Sequence, residues 1–289
     1  MTQQASPIRL ALPKGQMEDG VLDLLRDAGI SVATHARGYR PTLSLDWFEV
    51  KLLKPQNVVE MLSTGSRDVG FAGADWVAEL EADVVELMDT GLDPVRIVAA
   101  APAELLKDGR LPDRPMLVAS ELERITTDWM GRKGLNATFV RTYGATEVFP
   151  PEDADVIVDV TATGATLKAN GLVIVEELLT SSTRLFASRR AADDPAKRAR
   201  IDELVLLLKS VLEARQRMMV EVNVPAERLD DVIAALPCMR EPTMTPLHGG
   251  AGYAVKAAVR KEELTRVIPE IKRLGGTDIV VTALSQIVP

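Results

Sequence analysis

Over roughly the first 190 residues, short apolar runs alternate with segments whose apolar positions recur every three to four residues, which predicts strands interleaved with helices. Residues 8–12 read as a strand, Pro13-Lys14-Gly15 as a turn, and residues 17–28 as a helix closed by Gly29. A pair of strands follows within 42–53. Pro55 then suits the first turn of a helix whose apolar face is Val58, Val59 and Leu62 and which ends at Gly65. Residues 68–73 form the next strand and 74–80 the next helix. The pattern repeats with strands at 97–101 and 116–119, a helix over 120–133, and strands at 137–141 and 156–160. Such an order predicts a parallel or mixed α/β sheet covered on both faces.

Segments 172–176 and 183–188 return the chain to the first sheet, so one lobe is predicted to be inserted in another, with a ligand cleft between them. The predicted divisions are 1–95 with 177–215 for the first lobe and its connecting helix, 96–176 for the second, and 216–289 for a third domain. The polar, alanine-rich stretch 189–200 leads into a helix with Ile201, Leu204, Val205, Leu208, Val211 and Leu212 on one face, a packed connector rather than a coiled coil. From residue 218 the order is strand 218–224, helix 226–236, strands 244–247 and 253–259, helix 261–274 and strand 277–284. This βαββαβ order is the ferredoxin-like plan.

With 289 residues, 46% of them hydrophobic, the chain has material for two or three real cores and is not disordered. Its net charge of −8 opposes a general nucleic-acid binder, and any phosphate ligand must be held by local donors. Aromatics are only 4%, and Trp47, Trp76 and Trp129 fall in or beside apolar-periodic segments, so core packing is expected of them. A single cysteine, Cys238, excludes intramolecular disulfides, and no Cys/His spacing suits zinc, so a reducing cytoplasmic setting is expected. The short polar start lacks the plan of a signal peptide, and no apolar run is long enough to span a membrane. Neither His35 nor His248 has the neighbours of a nucleophilic triad.

The most informative stretch runs from Asp155 to Leu172. An apolar strand stops there at the turn Thr161-Ala162-Thr163-Gly164-Ala165-Thr166-Leu167, which opens into a helix. Backbone amides, three threonine hydroxyls and a glycine allowing close approach read as a phosphate site. Asp155 and Asp159 lie four apart on that strand and point the same way, which suits ribose hydroxyls or a divalent cation carried by phosphates. Lys14 is either a solvated charge or a ligand contact, since it follows a strand on the edge where α/β sheets bind ligands.

The segment from Val156 to Leu172 resembles the signature of the ATP phosphoribosyltransferase family, the first enzyme of histidine biosynthesis, which runs Asp-x-x-x-(Ser/Thr)-Gly-x-Thr-Leu and on to Asn-Gly-Leu. Leu12-Pro13-Lys14-Gly15, Leu53-Lys54-Pro55-Gln56, Gly70-Phe71-Ala72-Gly73-Ala74-Asp75, Gly144-Ala145-Thr146-Glu147 and Pro242-Thr243-Met244-Thr245-Pro246-Leu247 agree in order. The resemblance implies an α/β fold of two periplasmic-binding-protein-like lobes forming a cleft, plus a C-terminal ferredoxin-like regulatory domain, the family's long form. Short forms rely on a partner subunit, so none is expected here. It further implies a pentosyl transfer in which N1 of ATP attacks C1 of phosphoribosyl pyrophosphate, with magnesium carried by the substrate phosphates and not fixed by the protein alone.

On that resemblance the loop from Thr161 to Leu167 takes the ribose 5-phosphate, and Asp155 and Asp159 face the ribose with Glu147 nearby. Lys14 and Gly15, with Lys54 and with Asp75 across the cleft, contact nucleotide and pyrophosphate. Lys14, Glu147 and Asp159 are the implied catalytic residues. Histidine, as feedback inhibitor, is implied at Asn223, Met239, Thr243, Ala258 and Asp278, and the assembly is a homo-oligomer, a hexamer built from dimers. Glu152 stands where the signature has glycine, Thr127-Asp128 where basic residues are common, Cys238 where glycine is common, and Asp278 where small residues are usual. The rival reading, a non-catalytic two-lobed small-molecule sensor, needs the cleft but not Lys14, Glu147 and the aspartate pair together.

Overall fold

Strand β1 (Ile8–Pro13) is buried along almost its whole length because it runs parallel between two neighbours, β4 (Phe48–Leu53) and β5 (Val69–Gly73). The computed structural model describes residues 6–33 and 38–288; His35 lies outside the described residues. At the sheet's edge, β4 turns Phe48, Val50 and Leu52 inward and alternates strictly. Between β1 and β4 come helix α1 (Glu18–Asp27) and a small ribbon of β2 (Val32–Ala33) with β3 (Thr42–Leu43). Helix α2 (Pro55–Ser63) starts with proline in its first turn and buries Val58, Val59 and Leu62. It sits so close to β5 that a Cβ on Gly70 would lie 2.7 Å from Val58 Cγ1 and 3.0 Å from Ala11 Cβ, a packing distance only glycine permits. Helix α3 (Ala74–Glu79) follows β5 directly.

Two long strands carry the sheet onward, β6 (Val84–Pro102) and β10 (Leu172–Ser188). Between them the chain makes β7 (Met116–Ser120), helix α4 (Glu123–Lys133), β8 (Ala137–Arg141), β9 (Val156–Thr161) and the five-residue helix α5 (Ala165–Ala169). The resulting eight-stranded order is β4-β1-β5-β10-β6-β9-β7-β8, mixed in direction, with β10 antiparallel to β5 and β6, and β6 antiparallel to β9. The short separate strands expected at 97–101, 172–176 and 183–188 are therefore pieces of two continuous ones. Five register shifts along the β6–β10 ladder, together with the left-handed residues Gly91 and Asp93, break the period-two alternation that would have revealed their length.

Each face of the inserted half-sheet has its own core: Ile97, Val118, Trp129 and Val156 on one, Val98, Ile157, Leu167 and Leu172 on the other. Trp129 is buried as expected and Trp76 packs against that core, whereas Trp47 is half-buried under the guanidinium of Arg200, 4.8 Å from its ring centre.

After α6 (Arg189–Ala192), helix α7 (Pro195–Arg215) begins five residues before Arg200, because Asp194 accepts from the amides of Ala196 and Lys197 at 2.9 and 3.2 Å. The polar lead-in to the apolar stripe is thus helical too. The described chain divides into two compact units, one holding most of the residues up to Asp202, the other Glu203 onward with Asp27–Gly29. The second unit contains β11 (Arg217–Val224), α8 (Leu229–Ala235), β12 (Thr243–Pro246), β13 (Tyr253–Arg260), α9 (Leu264–Arg273) and β14 (Thr277–Ala283). Its antiparallel order β12-β13-β11-β14 is the ferredoxin-like arrangement, closed over Val220, Val222, Val255, Val259, Val267 and Ile271.

One buried charge ties the first unit together. Asp68, with its side chain 1% exposed, accepts from the backbone amide of Arg9 at 2.8 Å, from the Arg9 guanidinium at 3.1 Å and from Lys197 Nζ at 2.7 Å. Burial alone would raise its pKa, but the bonds from Arg9 and Lys197 outweigh it and hold the pKa below 3.8. Asp68→Ala leaves two cations facing a void and is expected to cost about 3–5 kcal/mol in urea unfolding. Because the folded pKa is depressed, the wild-type contribution persists at neutral pH and fades as pH falls below 3.8, whereas the variant lacks that acid-dependent loss.

Candidate active site

The loops after β1, β4 and β9 carry two hollows of opposite character. The first, about 450 Å³, is lined by Lys14, Tyr39, Arg40, Lys51, Lys54 and Asn57 with Leu52 and Leu53 at its floor. Lys14 follows β1, Lys51 and Lys54 end and follow β4, and the three converge because those strands are parallel neighbours. Lys14 Nζ donates to the Tyr39 hydroxyl at 3.1 Å and lies 4.2 Å from the centre of its ring. Four cations and no carboxylate line this hollow in a protein of net charge −8, which suits a polyphosphate.

The second hollow, about 330 Å³, is lined by Gln16, Glu147, Asp159, Val160, Thr161, Ala162, Thr163, Ala165, Thr166 and Leu167. Gly164 takes φ +80°, a conformation open to glycine, and turns the loop so that its amide donates to Thr161 Oγ1 at 2.9 Å, while Ala165 N donates to Thr163 Oγ1 at 3.3 Å. Helix α5 has five residues, so the anion donors here are the loop's amides and hydroxyls more than a macrodipole. Asp159 stands at the rim. Burial, the larger cause, and the nearby carboxylates of Glu147 and Glu121 push its pKa up to about 6, against the stabilising bond from Val160 N at 2.8 Å. Gln16 reaches this hollow from the loop whose Lys14 lines the first, with Gly15 between them at φ +100°.

Two candidates from the sequence lie elsewhere. Asp155 does share a side with Asp159, yet four strand residues span about 13 Å, so it sits at the opposite end of β9. There it accepts from Arg114 Nη2 at 2.7 Å and Leu117 N at 2.8 Å. Asp75 is buried and accepts from Ser181 Oγ at 2.6 Å rather than lining either hollow. Periodicity fixes a side chain's face but not its end of the strand, which is why the pair looked joint. Tyr39, Arg40, Lys51, Asn57 and Gln16 were not singled out from the sequence. The signal available was the basic pair Lys51 and Lys54 at the end of the strands predicted within 42–53.

In the C-terminal unit, Met239, Thr243 and Ala258 line a hollow of about 270 Å³ with Met219, Cys238 and Lys256. Asn223 and Asp278 lie outside it and pair with each other, Asn223 Nδ2 donating to Asp278 Oδ2 at 3.1 Å. His248 sits in an exposed turn of the same unit. Among the described residues no group of three or more His, Cys, Asp and Glu side chains is arranged to hold a metal ion, and no helix is long and apolar enough to cross a membrane.

A two-lobed α/β fold, a threonine-glycine loop with adjacent carboxylates, and a ferredoxin-like C-terminal domain fit one class, the phosphoribosyl-transferring enzymes. Residues 54–210 match the family described as ATP phosphoribosyltransferase, and residues 214–286 match the HisG C-terminal domain. The chain is 35% identical over 98% of its length to the ATP phosphoribosyltransferase of Pelotomaculum thermopropionicum, covering 99% of that protein, and 36% identical over 96% to that of Chlorobium luteolum, covering 97%. The ATP phosphoribosyl transferase (HisG:HisZ) complex from Thermotoga maritima is similar with a TM-score of 0.63 and 26% identity, over 71% of this chain and 98% of that one. The chain belongs to the ATP phosphoribosyltransferase family, enzymes of histidine biosynthesis.

The raised pKa of Asp159 gives a signed test. Between its ordinary 3.8 and about 6 the folded protein holds a proton the unfolded chain has lost, so this group's contribution to stability falls as pH rises through that window. Asp159→Asn is expected to raise the unfolding free energy measured in urea at about pH 8 by on the order of 1–3 kcal/mol, and to change it little at about pH 4. An equal effect at both values would contradict the assignment.

Proposed function

We propose that the chain transfers the phosphoribosyl group of phosphoribosyl pyrophosphate to N1 of ATP, giving phosphoribosyl-ATP and pyrophosphate. The observation that carries this reading is the pairing of a cationic hollow with a hydroxyl-rich, carboxylate-rimmed one on the loops that follow β1, β4 and β9. The bond from N1 to C1 forms as the bond from C1 to the pyrophosphate oxygen breaks, and its electron pair leaves with pyrophosphate. Such a transfer needs two polyanions held in line and a cationic ribose stabilised, with no protein nucleophile.

In this reading the amides and hydroxyls from Thr161 to Thr166 hold the 5-phosphate. Asp159 and Glu147 face the ribose, where carboxylates stabilise the positive charge developing at C1 and accept from its hydroxyls. Lys14 and Lys54, joined by Arg40 and Lys51, hold the nucleotide phosphates and the departing pyrophosphate, and Gly15 lets Lys14 and Gln16 face different substrates. Asp155 and Asp75 act behind the site, fixing β9 and the start of α3. Glu147 and Asp159 offer the oxygen donors that would face a magnesium ion carried by the substrate phosphates, which would supply charge neutralisation there.

We further propose that histidine suppresses the reaction through the C-terminal unit, at the hollow holding Met239, Thr243 and Ala258, and that the enzyme is a cytoplasmic hexamer built from dimers. The partial cover of this chain by its structural neighbour, which is matched over nearly its own full length, supports a regulatory module carried within this chain instead of on a partner.

Purified protein with ATP, phosphoribosyl pyrophosphate and magnesium is expected to release pyrophosphate with a change in adenine absorbance, and histidine is expected to reduce both. Thr163→Ala should raise the phosphoribosyl pyrophosphate KM about tenfold through one lost phosphate bond, leaving the ATP KM near wild type. Absence of pyrophosphate with both ligands bound would overturn the transfer.

A further inference from the structure

Helix α4, the first of the inserted lobe, has no cap of its own. Its N-cap residue is Leu122, which offers no side-chain acceptor. The cap comes from the other lobe: the carboxylate of Glu79, last residue of α3, accepts from Arg124 N and Ile125 N, each at 3.0 Å. Arg124 in turn pairs with Glu81, two residues beyond Glu79. Trp76, one turn earlier on α3, packs against the cores of both lobes, so the cap sits beside apolar packing that spans the seam.

The capped turn leads straight to the site. Leu122 N donates to Ser120 Oγ at 2.9 Å, and Ser120 Oγ donates to the carbonyl of Val158 at 2.6 Å, next to Asp159. Arg141 holds the same turn from the far side, donating to the Glu121 carbonyl at 3.1 Å and pairing with Glu123. Hydrogen bonds at either end of the backbone segment 122–125 thus join α3 of the first lobe to the strand end that bears Asp159.

We propose that Glu79 is a positioning residue for the transfer: by capping α4 across the seam between the lobes, it fixes the turn 120–123 and, through Ser120, the place of Asp159 relative to the cationic hollow. This rests on the transfer reading above. A misplacement of the reacting groups, with each half-site intact, lowers turnover and leaves each substrate's own binding alone.

The test compares wild type with Glu79→Ala and Glu79→Gln in the full chain. Turnover of the alanine variant is expected to fall about ten- to a hundredfold. Both KM values should stay within about twofold, and glutamine, which keeps one acceptor oxygen, should recover part of the loss. Hydrogen exchange without substrates provides an arm independent of activity: the alanine variant should exchange faster both at 121–126 and at 158–163. An unchanged kcat, or a rise in one KM alone, overturns the proposal. So does faster exchange confined to 121–126. If wild type itself releases no pyrophosphate, the transfer reading fails, and the exchange pattern still decides whether Glu79 holds the Asp159 strand end.

Discussion

The antiparallel ladder between β6 and β10 makes one sheet of two lobes, and both hollows keep their places because of it. β10 lies against β5 of the first lobe and β6 against β9 of the second, so β1, which Lys14 follows, and β9, which bears Asp159, belong to one hydrogen-bonded framework. Where the ladder crosses between lobes it is polar rather than aliphatic. Thr90 Oγ1 donates to the Thr183 carbonyl, Thr183 Oγ1 to Asp93 at 2.8 Å and Ser182 Oγ to Asp89 at 2.7 Å. Directional bonds of this kind specify one register at a place where bulges would otherwise allow several.

Charge is divided between the lobes in a way that follows from this frame. The first lobe gathers lysines and an arginine at the ends of parallel strands, while the second offers neutral donors and carboxylates. Lysine-rich and carboxylate-bearing surfaces are thereby kept on separate scaffolds. Neither lobe must hold both signs of charge in one small volume, where the acidic groups would repel a polyanion.

Much of this was legible in the sequence. The strand, threonine-glycine turn and helix from Val156 onward specify their own local geometry, and β1, β4 and β5 announce themselves by continuous or alternating apolar runs. The βαββαβ unit was equally plain, since its two helices carry clean apolar stripes. What escaped was non-local. The length of β6 and β10 is hidden by bulges, and the separation of Asp155 from Asp159 depends on which end of a strand faces ligand. The reach of Gln16 into the second hollow depends on how the lobes meet. Its place beside apolar-periodic segments put Trp47 in the core, yet it lies under Arg200, because an indole half-covered by a guanidinium reads the same as a buried one along the chain.

The order in which the sheet is written along the chain also has a temporal side. β5 ends at Gly73, but the strand that completes its second side pairs through Thr183 and Gly73, so its partner arrives only after the whole inserted lobe has been made. During synthesis the first lobe therefore emerges with an apolar strand unpaired on one edge, and it closes when the ribosome has delivered β10. The inserted lobe, whose own strands are adjacent in sequence, can fold in that interval, so the threonine-glycine loop is formed before β5 has its second neighbour.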